Sequence, residues 1–562
     1  MNQMRIDGFT QATATEGTGA PDGRAGTSEN GQAPIGIVIE VGGAGSRIAL
    51  DTERLAEVAM DGDATVALSG QVGSQVKLRV GTGWLLASIR SQKQDHSIPG
   101  GIVADADFLG EGEEERLTKR IHSFRRGVTF YPVPGAPVYP ATSEDLRQIY
   151  ASDGRSAIQI GNVYPTRNIR AGLFVDALLS KHFALLGSTG TGKSTSAALI
   201  LHRICEHAPE GHIIMIDPHG EYSAAFRETG VILDVSNLQM PYWLMNFEEH
   251  CEILLTSRGD DRQLDAEILA KCLLEARMKN RLAETVGKIT VDSPIPYLLS
   301  DLGSSINNAM GKLDKGHSSA SYMRIRNRLD ELKGDPRYHF MFSGMLVGDT
   351  MADFISRLFR LPSRGKPISI IDVSGVPSDI TSTVVAVLSR LVFDFAVWSR
   401  EEKTRPILIV CEEAHRYVPN EKNADGSSVG RVLSRIAKEG RKYGISLGLI
   451  TQRPSDLAEG VLSQCGTIIA MRLNNDRDQA FVRGAMPEGA RGFLDSIPAL
   501  RNRECIICGE GVTIPTRVSF DDLEEFRRPA SDDPSFTQLW NSTGGEEEMV
   551  QRTVRRWRAQ GR

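Results

Sequence analysis

Hydrophobic residues follow two different rhythms along this chain. From residue 34 to about 135 they come in short bursts. Ile35-Gly-Ile-Val-Ile-Glu-Val41, Gln75-Val-Lys-Leu-Arg-Val80 and Trp84-Leu-Leu-Ala-Ser-Ile89 are examples, separated by turn residues at short intervals. That pattern predicts a small all-β domain closed into a barrel. A proline-rich stretch, Tyr131-Pro-Val-Pro-Gly-Ala-Pro-Val-Tyr-Pro140, follows, and then a short linker region to about 155. From about 156 the bursts become unbroken Ile/Val/Leu runs alternating with helical patterns. The expected strands are His182–Gly187, His212–Asp217, Val231–Val235, Pro367–Val373, Pro406–Cys411, Ser446–Thr451 and Gly466–Met471. Runs without polar alternation are the mark of parallel strands covered on both faces. Between about 247 and 360 the strand signal stops. Amphipathic patterns at Asp265–Lys279 and Ser321–Leu332 replace it, predicting a helical insertion. Long helices are expected at Asp379–Arg400 and Gly430–Lys442.

The predicted organisation is a disordered tail (1–33), a β-barrel domain with linker (34–150), an α/β core in two parts (151–246 and 361–528) around the helical insertion (247–360), and a C-terminal arm (529–562). No repeat of fixed period is visible. The arm ends in the basic, weakly amphipathic Met549–Arg562, which suits either packing on a neighbour or a solvated helix. The tail lacks the apolar segment of a signal peptide. No run of eighteen apolar residues marks a membrane span, so the expected setting is cytoplasmic with no membrane partner.

Composition adds two constraints. Seven dispersed cysteines (205, 251, 272, 411, 465, 505 and 508) in a 562-residue chain suit a reducing compartment. Cys505-Ile-Ile-Cys508 has metal-knuckle spacing but no second pair, and it sits in an apolar run that reads as a core strand. The net charge of −6 argues against nucleic-acid binding over a broad basic surface, while leaving open a basic channel.

The strongest chemical signal is Gly187-Ser188-Thr189-Gly190-Thr191-Gly192-Lys193-Ser194, followed by Thr195. It satisfies the phosphate-loop pattern between a predicted strand and a predicted helix. Glycines turn backbone N–H groups towards phosphate oxygens, Lys193 reaches the β- and γ-phosphates, and the Ser194 hydroxyl holds Mg²⁺. The helix N-terminus adds its positive end. The strand Pro406–Cys411 ends in Glu412-Glu413, where an ATPase needs acids: Glu412 on the metal side, Glu413 as the base for the attacking water. Gln452, at the end of another strand, can sense the γ-phosphate and orient water. Asp217, ending the strand after the phosphate-loop helix, is expected on the metal side, with His219 and Glu221 around it or capping the next helix. Arg431, Arg435, Arg441, Lys442 and Arg453 cluster after the acidic strand. Arg441 is the candidate for a cation inserted into a neighbour's site, with a solvated basic face as the alternative.

Asp217-Pro-His-Gly-Glu-Tyr222, Asp292-Ser-Pro-Ile-Pro-Tyr297, Glu412-Glu-Ala-His-Arg-Tyr417 and Gly440-Arg-Lys-Tyr-Gly444 resemble, in order, the hallmark blocks of the HerA family of DNA-translocating ATPases, within the HerA/FtsK group, in its bacterial form. The resemblance runs from about residue 34 to the C-terminus. It implies an N-terminal β-barrel, a RecA-like P-loop core with a helical insertion, and a homohexameric ring around duplex DNA. It implies ATP and Mg²⁺ bound between subunits. Lys181 matches a basic family position that contacts nucleotide, and Gly509–Arg517, through Pro515 and Arg517, resembles a segment reaching over a nucleotide site. It also implies an effector docking on the barrel: a NurA-like nuclease in DNA end processing, or a nuclease or sirtuin-like NAD-cleaving protein in antiphage defence. Two rival classes remain: a scaffold ring whose ATP binding assembles and activates an effector, and a secretion- or conjugation-type ATPase. The presence of Glu413 and Gln452 disfavours the first. The second lacks its membrane segment.

Overall fold

The structure is a computed structural model that describes residues 33–95, 101–114, 121–151, 154–166, 168–311, 319–343, 346–420, 427–486, 491–530, 536–541 and 547–559. The predicted tail lies outside the described residues, apart from its last position.

The N-terminal sheet contains β1 (Gly36–Val41), β2 (Gly45–Leu50), β3 (Gln75–Val80), β4 (Gly83–Gln94), β5 (Ile102–Glu114), β6 (Ile121–Arg126) and β7 (Pro137–Pro140). Its order is β2-β1-β7-β3-β4-β5-β6, and β2 also pairs with β5. That extra pairing closes a six-stranded antiparallel barrel, with β6 added outside on β5. Closure removes the exposed edges that short strands would otherwise present. Alternate residues fill the interior: Val38, Ile48, Leu50, Val76, Leu78, Leu85, Ala87, Ile89, Ala104 and Val138 are all buried there. Here the structure departs from the sequence reading. Pro137–Pro140, read above as part of a proline-rich stretch and not as a strand, is the strand that bridges β1 and β3. Its prolines hide the strand from a pattern reading. Pro137 begins the strand and Pro140 ends it, the places where a missing N–H costs least.

The core is built on one eleven-stranded sheet of order β12-β13-β11-β14-β15-β10-β16-β17-β18-β8-β9. Its strands are β8 (Ala157–Val163), β9 (Arg170–Phe174), β10 (Phe183–Leu186), β11 (Ile213–Asp217), β12 (Gly230–Leu233), β13 (Ile368–Asp372), β14 (Ile407–Cys411), β15 (Ile445–Thr451), β16 (Thr467–Met471), β17 (Glu504–Gly509) and β18 (Thr516–Phe520). All seven expected strands are present, and they form the parallel part of the sheet, β12 to β16. The antiparallel flank β17-β18-β8-β9 extends it. Cys505 and Cys508 are buried in β17 as free thiols, so the core-strand reading of that pair holds.

Helices cover both faces. Lys193–His207 is buried along most of its length, which explains its weak amphipathicity. Thr381–Trp398 is the one helix among the described residues long and apolar enough to cross a membrane, and it is instead packed against helix Ser428–Glu439 and β15 in the core. The segment between β12 and β13 carries the helices Phe247–Leu254, Asp260–Met278, Leu299–Gly311, Ala320–Gly334 and Met351–Phe359.

The barrel is fastened to the core. Arg126 of β6 donates to the carbonyls of Gly509, Val512 and Thr513. Lys77 of β3 meets Asp145 of helix Ser143–Ile149 at 2.8 Å with both side chains buried. Trp84, Leu86, Leu109 and Tyr139 project from the barrel into the main hydrophobic core.

Candidate active site

Parallel strands place their C-terminal ends on one edge, and loops there can converge. The register shows which ones do. Leu186 of β10 pairs with Thr451 of β15, and Cys411 of β14 pairs with Leu449. Ile216 of β11 pairs with Cys411. Gly187, Gln452, Glu412 and Asp217 therefore leave the same edge. β15 stands between the phosphate-loop strand and the acid strand, so Gln452 is delivered between them.

The loop itself is held by its own backbone. Gly187 N–H donates to Thr451 O at 3.2 Å, Ser188 N–H to Arg472 O at 3.0 Å, and Thr191 Oγ1 to Ser188 O at 2.8 Å. Gly190 (φ +77°) and Gly192 (φ +89°) take left-handed conformations that glycine adopts without strain. Thr189 Oγ1 donates to Gln452 Oε1, so Gln452 touches the loop. Lys193, 7 % exposed, lies 3.3 Å from Glu413 Oε1 and 3.7 Å from Glu412 Oε1. Ser194 and Thr195 open the helix beside it.

The two glutamates differ in environment. Burial pushes the Glu412 carboxyl up to about 7, with Glu413 and Asp217 adding to the rise and Lys193 and Tyr222 opposing it. Tyr222 Oη donates to Glu412 Oε2 at 2.7 Å and is wholly buried. Glu413 is left-handed at φ 49°, ψ 45°, a conformation that costs a non-glycine residue ~1–2 kcal/mol. Such strain persists where surrounding structure imposes it, commonly at functional sites. Its Oε2 is buried with no donor aimed at it. His415 Nδ1 comes within 3.2 Å of that oxygen but makes its hydrogen bond to Thr451 Oγ1 at 2.9 Å. Burial lowers the His415 pKa, so the ring is neutral at pH 7. A buried, unpartnered carboxylate oxygen next to the phosphate loop is an acceptor for water.

Asp217 is not arranged as expected. Its carboxylate accepts from His219 N–H (3.1 Å), Gly220 N–H (2.9 Å) and Tyr222 N–H (2.9 Å), and it is fully buried. Both oxygens are spent on the turn after β11. Asp217 is the clamp that presents Tyr222 to Glu412, rather than a metal ligand, and His219 enters through its backbone N–H. Among the described residues no three His, Cys, Asp or Glu side chains form a metal cage. This suits Mg²⁺, which is usually held by one or two protein groups together with substrate phosphates. Ser194, in the first turn of the helix, and Glu412, at the end of β14, are the residues that could hold it.

Four other candidates are not at this site in the same chain. Arg441 lies in the turn Gly440–Tyr443 immediately before β15, and Lys181 just before β10. Both stand at the opposite edge of the sheet. β15 has seven residues, so its ends are roughly 20 Å apart. Lys181 pairs with Glu510, and Gly509 is in register with Thr467 at the start of β16, which puts Gly509–Pro515 on that far edge too. Arg517 is tied to Glu504 at 2.6 Å and lies 3.9 Å over the Tyr164 ring, so its charge is used within the fold. Of the other cluster residues, Arg431 pairs with Glu248, Arg435 lies over Phe393, and Arg453 is exposed near Asp456. Sequence reasoning also overlooked residues. Tyr222 and His415 sat inside quoted motifs without a role, and Arg503, which contacts the phosphate loop, carries no motif at all.

The sheet order, the loop between β10 and its helix, and the paired acids on β14 define a RecA-like P-loop ATPase carrying a barrel at its N-terminal side. Residues 158–392 match the family described as "Helicase HerA, central domain". The chain is 27 % identical over 506 residues to the DNA double-strand break repair helicase HerA of Pyrococcus furiosus, covering 82 % of this chain and 87 % of that one. It is 26 % identical over 434 residues to the protein of the same name in Saccharolobus solfataricus, covering 75 % and 78 %. Among solved structures, VirB4 of Thermoanaerobacter pseudethanolicus is similar with a TM-score of 0.47 and 16 % identity, over 67 % of this chain and 99 % of that one. Over residues 158–392 the chain matches the HerA central domain, and it is similar to HerA helicases over most of its length.

Proposed function

We propose that this protein is an ATP-driven DNA translocase or helicase that works as a ring of identical subunits on duplex DNA and drives a partner nuclease or other effector. The observation that carries the reading is the division of the site between two edges of one sheet. Lys193, Ser194, Glu412, Glu413 and Gln452 sit at one edge; Arg441, Lys181 and Pro515 sit roughly 20 Å away at the other. The second group reaches a nucleotide only if another copy brings it there. Head-to-tail contacts of that kind generate closed rings when the rotation closes.

Within one site, the phosphate loop and Lys193 bind the triphosphate, and Gln452 and Glu413 orient and deprotonate the attacking water. Arg441 of the neighbour would meet charge developing on the phosphates. Bound Mg²⁺ would neutralise phosphate charge, held by Ser194 with Glu412 beside it. Hydrolysis shared between subunits changes their relative position, and a ring threaded by DNA converts that change into movement along phosphates without regard to sequence. The relatives named as double-strand break repair helicases favour DNA-end processing over antiphage defence. On the barrel, Ile37, Phe130, Tyr131 and Val133 are exposed apolar residues that suit an effector's docking.

The test is ATP turnover by the full chain with and without linear duplex DNA, beside Lys193→Ala. DNA-stimulated turnover that the substitution abolishes is expected. Turnover indifferent to DNA would refute the motor reading in favour of the scaffold ring; turnover undiminished in Lys193→Ala would refute the site.

A further inference from the structure

Arg503 touches the phosphate loop, and neither the motifs nor the comparisons assign it a role. It stands just before β17. Its backbone N–H donates to Thr191 O at 2.8 Å, and its carbonyl accepts from Phe520 N–H at 2.9 Å. A Cβ on Gly192 would lie 2.7 Å from Arg503 Cγ and 3.7 Å from Cδ. The side chain therefore runs along the last glycine of the loop, next to Lys193 and the N-terminus of the helix Lys193–His207. Arg503 is also left-handed, at φ +61°, a conformation that glycine takes freely and arginine does not. A strained arginine where glycine would fit better points to a use for the side chain.

The guanidinium is available. It pairs with Asp522, but the two side chains are 37 % and 69 % exposed. Arg528 stands 3.8 Å from the same carboxylate and can take over as its partner. Exposed ion pairs of this kind are weak. A nucleotide polyphosphate carries more charge than one carboxylate and matches the planar guanidinium with two oxygens at once. We infer that Arg503 is a nucleotide-binding residue of its own chain's site, leaving Asp522 to donate to the phosphate chain of the bound nucleotide. This rests on the phosphate loop being the ATP site. Asp522 belongs to the segment 521–530, which crosses helix Lys193–His207 through Arg203–Asp521 and Arg527–Glu206 and ends with Ala530 N–H on Glu221 O. Releasing Asp522 frees one tether of that segment when nucleotide binds.

Glycine at 503 separates binding from bracing, because it keeps the N–H to Thr191 and relieves the backbone. With fluorescent mant-ADP and Mg²⁺ titrated into the full chain, Arg503→Gly should raise the Kd about tenfold, while the thermal midpoint without nucleotide stays level or rises. Arg503→Lys should fall between, and Asp522→Asn should lower the Kd. A wild-type Kd in Arg503→Gly overturns the inference, as does a loss of affinity accompanied by a lower thermal midpoint, which would make Arg503 a brace only. If the wild type does not bind mant-ADP, or Lys193→Ala binds it equally well, the phosphate-loop reading itself fails and takes this inference with it.

Discussion

His250 makes the helical insertion sensitive to acid, and the size of the effect follows from its surroundings. The ring is fully buried in helix Phe247–Leu254. Nδ1 is 2.7 Å from Asn246 O, which can only accept, so Nδ1 carries the hydrogen. Nε2 is 2.9 Å from Tyr297 Oη and accepts from it. The neutral ring is thus satisfied at both nitrogens. Burial holds its pKa down at about 3 from an ordinary 6.5, with the Arg277 and Arg390 charges nearby adding to the fall and Asn246 O opposing it. Below pH 6.5 the unfolded chain takes up a proton that the native ring refuses. Stability is therefore complete above pH 6.5 and is lost as pH falls towards 3. At ~1.4 kcal/mol per pH unit, the loss is about 2 kcal/mol by pH 5 and about 5 kcal/mol by pH 3. His250→Gln has no group to titrate. It should be less stable than wild type at pH 7, having lost a ring hydrogen bond, yet the gap should narrow by about 2 kcal/mol at pH 5. A chain of several parts need not unfold in one step. The assay is therefore native-state hydrogen exchange of the Phe247–Leu254 amides, corrected for intrinsic rates, on both proteins at pH 7 and 5. An equal gap at the two pH values would refute the argument, because His250 would then not be the group that takes up the proton.

Three further outcomes are expected. Glu413→Gln keeps the phosphate contacts but removes the base, so ATP should bind with near wild-type affinity while turnover falls by about 10²-fold or more, measured by a binding titration beside steady-state hydrolysis. Arg441→Ala and Lys193→Ala should each be inactive alone, and an equal mixture should regain about a quarter of wild-type turnover, because random rings place an intact Lys193 against an intact Arg441 at that frequency; no recovery would remove Arg441 from the neighbour's site. Lys77→Ala leaves Asp145 buried without its cation and should cost about 3–5 kcal/mol where the barrel joins the core, seen as early proteolysis of helix Ser143–Ile149.

Much of this molecule was written locally. The unbroken apolar runs that became β10 to β16 need both faces covered, so their pattern announces a parallel sheet without any long-range information. The phosphate loop depends on residues next to each other, and Glu412-Glu413 follows its strand directly; both are visible for that reason. Strands with another rhythm were not. β7 is masked by its prolines, and β8 and β9 adjoin a region that reads as a linker, so only the pairings of β7 with β1, of β8 with β18 and of β9 with β8 reveal them. Asp217 shows the limit most clearly. Its place at the end of β11 is legible in the sequence, but whether its oxygens face a metal or three backbone N–H groups depends on how the turn folds back. In the same way, Arg441 and Lys181 are basic residues in suggestive places, and only the strand direction sets them at the far edge of the sheet. Arg503 meets Gly192 across more than three hundred residues of chain. The chemistry of the phosphate loop is legible in the linear chain, because it lies in neighbouring residues. Which other groups share its edge, and which stand at the opposite one, was set by strand order and register, long-range properties that no local pattern encodes.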